Sequence, residues 1–272
     1  RSADIGVAMG ITGTDVSKGA ADMILADDNF ATIVEAVHQG RAVFSNIRKF
    51  LRYLLSSNMG EVFTMFFGVV FAWLIGLDAA VEGELVVPLL ATQILWINLL
   101  TDSFLALALG VDPPAHDLMG RPPRRLADRL IDDPMMRGIG LIGVAMAISA
   151  LVALDLFLPG GLIEGSDSVE YARTAAFTTL VVGQVFNAFN ARSDVASALP
   201  VLFTNRLLWL AAVIVVTLQA FVVHVPFMNE AFGTEPLDAT GWAACAALAT
   251  TALWVGELRK LVARLAGARS AS

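Results

Sequence analysis

The run from about Val86 to Gly110 is long and apolar enough to cross a bilayer, yet it carries an amide, a hydroxyl and a carboxylate near its middle. Within Gln93-Ile-Leu-Trp-Ile-Asn-Leu-Leu-Thr-Asp102, the residues Asn98, Thr101 and Asp102 stand at i, i+3 and i+4, so a helix presents them on one face. The preceding apolar run holds a matching pair, Asn58 and Glu61, at i and i+3. An ionised carboxylate at bilayer depth costs roughly 3 kcal/mol on insertion scales. Two of them on neighbouring spans, each beside a neutral oxygen donor, point to a buried cation site. The plainer alternative is that these groups hydrogen-bond to one another and hold helices together.

Composition agrees with a membrane class. Only 16% of the 272 residues are charged, where a soluble domain has about 25%, and mean hydropathy is +0.70. A polytopic membrane protein with a short polar preface is expected, with the lipid bilayer as a partner and no nucleic acid. The lone cysteine, Cys245, excludes an internal disulfide and a cysteine-based metal site. His38, His116 and His224 are scattered, which argues against a zinc or haem centre. Residues 1–29 lack the apolar core of a signal peptide. The sequence opens in mid-motif without an initiator Met and is expected to be a fragment.

The first domain expected is 1–46, a soluble α/β piece. Ile5-Gly-Val-Ala-Met predicts a strand. A turn and short helix follow, with Thr14 or Asp15 as its cap, then a second strand from Met23, stopped by Asp27-Asp28-Asn29. A helical period begins near Phe30, with Ile33, Val34 and Val37 on one face. This βαβα order predicts the edge of a parallel-sheet domain that so short a segment does not close. Gly6, Gly10 and Gly13 fit no standard phosphate fingerprint and read as turn glycines.

The second domain expected is 47–272, with six membrane helices at about 50–75, 86–110, 136–158, 172–190, 206–225 and 240–264. The first continues from a basic stretch (Arg41, Arg48, Lys49, Arg52) with no proline between, so one unbroken helix leaves the soluble piece and enters the membrane. Asp112-Pro-Pro ends the second span, and acidic loops at 76–85, 159–171 and 229–238 separate the pairs. With 1–49, 112–135, 191–206 and 259–272 in the cytosol, Arg173 alone of the 18 Lys and Arg lies on the far side. Both termini are therefore expected in the cytosol.

Two sets of motifs carry a family resemblance. Asp4-Ile-Gly-Val-Ala-Met-Gly, Ala21-Asp-Met-Ile-Leu-Ala-Asp-Asp-Asn-Phe and Glu35-Ala-Val-His-Gln-Gly-Arg-Ala-Val-Phe-Ser-Asn-Ile resemble the end of the phosphorylation domain of P-type cation-transporting ATPases. Ser57-Asn-Met-Gly-Glu61, Leu95-Trp-Ile-Asn-Leu-Leu-Thr-Asp102, Ala108-Leu-Gly-Val-Asp-Pro-Pro and Met119-Gly-Arg-Pro-Pro-Arg resemble the fifth and sixth helices of type II calcium pumps of the sarcoplasmic reticulum kind. The resemblance implies a mainly α fold: a six-helix transmembrane bundle, helices five to ten, behind a truncated α/β (HAD-like) N-terminal piece. It implies Asn58, Glu61, Asn98, Thr101 and Asp102 as metal ligands, and a sixth helix unwound near Asn98–Asp102, although no Gly or Pro announces that. Where two-site calcium pumps place a Glu on the eighth helix, this sequence has Gln184, which favours a single ion per cycle. The Asp-Lys-Thr-Gly-Thr motif, whose Asp is phosphorylated, and the nucleotide-binding domain are missing, so the fragment holds no catalytic residue and no cofactor-binding residue.

A hard cation such as Ca²⁺ takes about six to eight oxygens. The spans offer the five ligands above, with Gln184 and Asn187 at i and i+3 as further ones. The expected function is the ion-binding part of an ATP-driven pump exporting Ca²⁺ from the cytosol across the plasma membrane, with proton counter-transport. ATP and Mg²⁺ belong to the full-length parent, whose missing N-terminal part is the expected partner, and the fragment alone is expected to be inactive. The alternatives are a Na⁺ or Mn²⁺ pump of the same family and a non-enzymatic membrane module, either a channel or a scaffold.

Overall fold

A computed structural model describes residues 5–77, 86–114, 118–120, 122–123, 129–163 and 165–270, with side chains to residue 266. The acidic stretch 78–85, Arg121, Arg124, Arg125, His116, Glu164 and Asp4 lie outside the described residues. The chain divides into two compact units, Arg1–Ser45 with Pro114–Arg125, and Asn46–Pro113 with Leu126–Ser272.

In the first unit, β1 (Val7–Met9) and β2 (Met23–Leu25) pair in parallel, with Val7 opposite Met23 and Met9 opposite Leu25. Between them lies α1 (Asp15–Ala20), whose N-cap is Thr14: its hydroxyl accepts the Ser17 N–H at 3.3 Å. Ala8 and Leu25 are buried, while Val7 and Ile24 stay exposed. The turn after β2 is held by Asp28, at a left-handed φ of 51°. Its carboxylate accepts the Ile11 N–H at 2.8 Å, and the Thr12 N–H and hydroxyl at 2.8 and 2.7 Å.

These donors, the Ile11 amide first, hold the Asp28 carboxyl down to about 2 from an ordinary 3.8. A depressed folded value means the contact is fully present above pH 4 or so and is lost as pH falls toward about 2. Amide exchange is therefore expected to show steady protection of Ile11 and Thr12 from neutral pH to about 4 and its loss below. Asp28→Asn should remove that pH dependence. Protection unchanged at pH 2 would show the carboxylate is not what holds the turn.

One helix, α2 (Ala31–Val70), passes from the first unit's residues into the second's without a break; at 40 residues it is about 60 Å long. In the second unit it is followed by α3 (Ala91–Trp96), a π-turn (Ile97–Thr101) and α4 (Asp102–Gly110), which together form one span. Then come α5 (Asp133–Phe157), α6 (Val169–Asn190), α7 (Arg206–His224), the short α8 (Pro226–Phe232), α9 (Ala239–Ala249) and α10 (Thr251–Ser270). Side-chain caps start four of them: Asp132 accepts the Met135 N–H, Ser168 that of Tyr171, Asn205 that of Leu208 and Asp238 that of Gly241.

Among the described residues, four helices are long and apolar enough to cross a membrane: Ala91–Gly110, Asp133–Phe157, Arg206–His224 and Ala239–Ala266. The chain is a mainly α, multi-pass membrane protein. The helices 31–70 and 169–190 fall outside that set, and they carry the buried polar side chains Ser56, Ser57, Glu61, Thr178, Gln184 and Asn187. Polarity lowers their hydropathy and also drives them inward, because a polar group facing lipid has no partner. Accordingly α6 is buried on nearly every side, against α5, α7, α9 and α10. The backbone of α2 comes close to α5 at paired glycines: a Cβ on Gly143 would lie 2.8 Å from Met59 Cβ, and one on Gly60 3.1 Å from Met146 Cβ.

At the basic end of this unit a buried ion-pair group ties α2 to the turn after α4. Lys49 Nζ lies 2.6 Å from Asp112 Oδ2 and donates to Asn46 Oδ1 at 2.9 Å. Asp112 Oδ1 accepts from Asn205 at 2.8 Å and pairs with Arg192 at 3.0 Å, while Asn46 donates to the Asp112 carbonyl at 2.8 Å.

Candidate cation site between three helices

Glu61 on α2 and Asp102 at the start of α4 are 3% and 1% exposed, so both carboxylates turn inward. A third helix links Glu61 to Thr101, the residue before Asp102. Gln184 on α6 donates to Glu61 Oε1 at 3.1 Å, and its own oxygen accepts the Thr101 hydroxyl at 3.3 Å. The amide of Asn98 donates to Glu61 Oε2 at 2.6 Å. Tyr53, fully buried one and two turns before Ser57 and Glu61, donates its hydroxyl to Asp102 Oδ1 at 2.5 Å. Asn187 donates to Ser56 Oγ at 2.8 Å and Ser57 Oγ at 3.1 Å, lining the same interface from α6.

Helix geometry changes at this point. Across Ile97–Thr101 the backbone adopts a π-turn, and the Asp102 N–H bonds to the Ile97 carbonyl five residues back. The segment where the resemblance implies an unwound helix is thus widened by one residue rather than broken. A π-turn needs no Gly or Pro, only side chains that take up the slack in the ladder. Here Thr101 donates to the Ile97 carbonyl at 2.9 Å and Asn98 to that of Ile94 at 3.0 Å. The wider turn also splays the three polar residues that α-spacing places on one face. Thr101 and Asp102 are buried, while Asn98 lies exposed at the edge and reaches in only through its amide.

Of the seven sequence candidates, Glu61, Asn98, Thr101, Asp102, Gln184 and Asn187 are gathered at this three-helix junction. Asn58 is not drawn in: half-buried, it donates to the Leu54 carbonyl of its own helix at 2.8 Å. Tyr53, Ser56 and Ser57 belong to the group and were not anticipated. Tyr53, Ser57 and Glu61 recur at i, i+4 and i+8, a one-face pattern that reads directly from the sequence.

Charge balance distinguishes this cluster from ordinary helix glue. Among the described residues, no ion pair includes Glu61 or Asp102. Asp102 Oδ2 is buried without any hydrogen-bond partner. Buried acceptors are normally satisfied, and a buried carboxylate oxygen left open is a place for a ligand or a proton. Every neighbour offers oxygen as its free acceptor; the described residues contain no gathering of three His, Cys, Asp or Glu. Such a donor set suits a hard cation and not a soft one.

The family is established by comparison. Residues 86–262 match the model described as "Cation transporting ATPase, C-terminus". The chain belongs to the cation-transporting ATPases. It is 36% identical over 273 residues to calcium-transporting ATPase 1 of Bacillus cereus, covering 96% of this chain and 29% of that protein. Against the endoplasmic reticulum calcium ATPase srcA of Aspergillus fumigatus it is 35% identical, covering 97% and 29%. Against the probable cation-transporting ATPase F of Mycobacterium tuberculosis the identity is 37%, covering 97% and 28%. The chain therefore spans under a third of the length of these relatives.

Proposed function

We propose that this chain forms the ion-binding membrane part of an ATP-driven P-type pump, and that Ca²⁺ is its cargo. The observation that carries the reading is the pair of buried carboxylates, Glu61 and Asp102, with neutral oxygen donors between them and no cationic partner among the described residues. Two negative charges balance one divalent ion. The Bacillus and Aspergillus relatives, both named as calcium ATPases, favour Ca²⁺. Ligands in this reading are Glu61, Asn98, Thr101 and Asp102, with Gln184 and Asn187 close by; Asn58 joins only by turning its amide from Leu54. Gln184 adds no charge, so one ion per cycle is the stoichiometry proposed.

Energy enters elsewhere in the full-length protein, where ATP and Mg²⁺ bind and an Asp is phosphorylated. The continuous α2 is the lever that transmits the change to Tyr53, Ser57 and Glu61. When Ca²⁺ leaves, two bare charges at bilayer depth would be costly, and uptake of protons offsets that. The distribution of Lys and Arg favours a cytosolic side for both termini, and the Ala-, Val- and Arg-rich, Lys-poor residue usage favours the plasma membrane.

Ion-stimulated phosphorylation of the full-length protein, measured with Ca²⁺, Mn²⁺ and Na⁺ in turn, tests the cargo. Stimulation by Ca²⁺ is expected; stimulation by Na⁺ or Mn²⁺ alone would reassign it, and none at all would favour a non-enzymatic module. Gln184→Ala is expected to weaken the apparent Ca²⁺ affinity by about tenfold or less, the worth of one hydrogen-bonded neutral group. A loss as large as that from neutralising Asp102 would mean the site is centred on α6.

A further inference from the structure

A second polar centre lies nearer the basic end of the same unit. A small cavity there is lined by Arg52 of α2, Gly138 of α5, Asn187 and Asn190 of α6, and Arg259 and Lys260 of α10. Its free volume is about 10 Å³, room for a single oxygen atom. Three of those six residues are cations, and no carboxylate is among the lining residues.

Two observations mark this space as a site. First, the Nε atoms of Arg52 and Arg259 are buried with no hydrogen-bond partner, and Arg52 is only 9% exposed. Guanidinium N–H groups without an acceptor are costly in a protein interior. Second, the surrounding charge does not balance. Arg48, Arg52, Arg259 and Lys260 pair with three carboxylates: Asp132 faces Arg48 at 2.7 Å, Asp194 faces Arg52 and, at 3.7 and 3.9 Å, Arg259 and Arg48, and Glu257 faces Lys260 at 2.9 Å. Among the described residues, one positive charge in this group is left over.

The walls preserve the opening. A Cβ on Gly138 would lie 2.5 Å from Arg259 Nη1, and one on Gly256 would lie 1.9 Å from Asn190 Nδ2. Either would push a lining side chain into the space. Lys260 Nζ already donates to Asn190 Oδ1 at 3.0 Å and to Glu257, which leaves its third proton for an occupant. α5 begins at Asp133, just before Gly138, and α6 ends at Asn190, so the cavity lies near these two helix ends.

We propose that this cavity binds one oxygen of a phosphate group, supplied by the headgroup of an anionic lipid or by free inorganic phosphate. Arg52 and Arg259 donate through Nε–H, and Lys260 adds charge. Basic pockets between membrane helices suit such groups, and the occupant offsets the surplus charge.

Thermal unfolding of the full-length protein tests this. One arm compares nanodiscs of phosphatidylcholine with nanodiscs containing phosphatidylglycerol. The other titrates inorganic phosphate into phosphatidylcholine nanodiscs against chloride at equal ionic strength. A rise in Tm of about 2–4 °C is expected in at least one arm. A rise with phosphatidylglycerol alone identifies the lipid headgroup; a rise with inorganic phosphate as well identifies the free ion. Arg259→Gln combined with Lys260→Gln should abolish the shift. Arg259→Lys, which keeps the charge but lacks the Nε–H, should lose most of it, and serves if the double variant does not fold. No shift in either arm, or a full shift in these variants, would mean the cavity holds only water and overturns the proposal.

Discussion

Asp102→Asn is expected to abolish Ca²⁺-stimulated phosphorylation of the full-length protein. The substitution keeps shape and volume and removes one of the two charges proposed to balance the ion. It also replaces one of the two oxygens of Asp102, one accepting from Tyr53 and the other without a partner, by an NH₂ that repels a cation. Losing one partner of a buried charge interaction costs about 3–5 kcal/mol, which is roughly 100-fold or more in affinity. The protein should still fold, because the amide replaces a buried uncompensated charge with a neutral group. Phosphorylation in rising Ca²⁺, read beside the thermal stability of the variant, separates the two effects. Normal Ca²⁺ dependence in a folded Asp102→Asn protein would remove Asp102 from the site.

The largest loss of stability is expected at Asp112, which no transport step uses. It is 3% exposed and answers Lys49, Arg192 and Asn205 at once. Asp112→Leu leaves Lys49 and Arg192 buried without their counter-ion, a cost of about 3–5 kcal/mol. Adding Lys49→Met should recover part of it, since a buried pair replaced by apolar groups is often near neutral. The pair also fixes α2 against α4, the two helices that bring Tyr53 to Asp102. The single variant should therefore lose Ca²⁺ affinity along with thermal stability, and the double variant should regain some of both. Thermal unfolding within a degree of the parent for Asp112→Leu would show that the group is incidental.

Much of this arrangement reads from the sequence, because it rests on patterns a linear chain displays. Helix starts at Asp133, Val169 and Arg206 follow capping residues, and the strand–helix–strand order of the preface follows from turn residues and short apolar runs. The inward pair Glu61 and Asp102 follows from the cost of a carboxylate at bilayer depth. Features decided by backbone hydrogen bonding or by a distant partner do not read so directly. The π-turn at Ile97–Thr101 has no compositional mark, and it carries Asn98 out to the edge. Asn58 shares the i, i+3 spacing with Glu61, yet the carbonyl of Leu54 takes its amide. Tyr53 is an ordinary interfacial tyrosine until Asp102 is folded against it. Within the last span, expected over 240–264, the adjacent Thr250 and Thr251 hydroxyls donate to the carbonyls of Ala247 and Leu248, a local turn that two threonines in a row do not announce.

Equilibrium binding of radiolabelled Ca²⁺ to the purified full-length protein, without ATP, addresses the carboxylate pair most directly. Roughly one saturable ion per molecule is expected, with two charges for one divalent cation, and Glu61→Gln or Asp102→Asn should each eliminate it in a protein that still folds. Saturable binding that persists with both carboxylates neutralised would place the cation elsewhere and leave this cluster as a contact between helices.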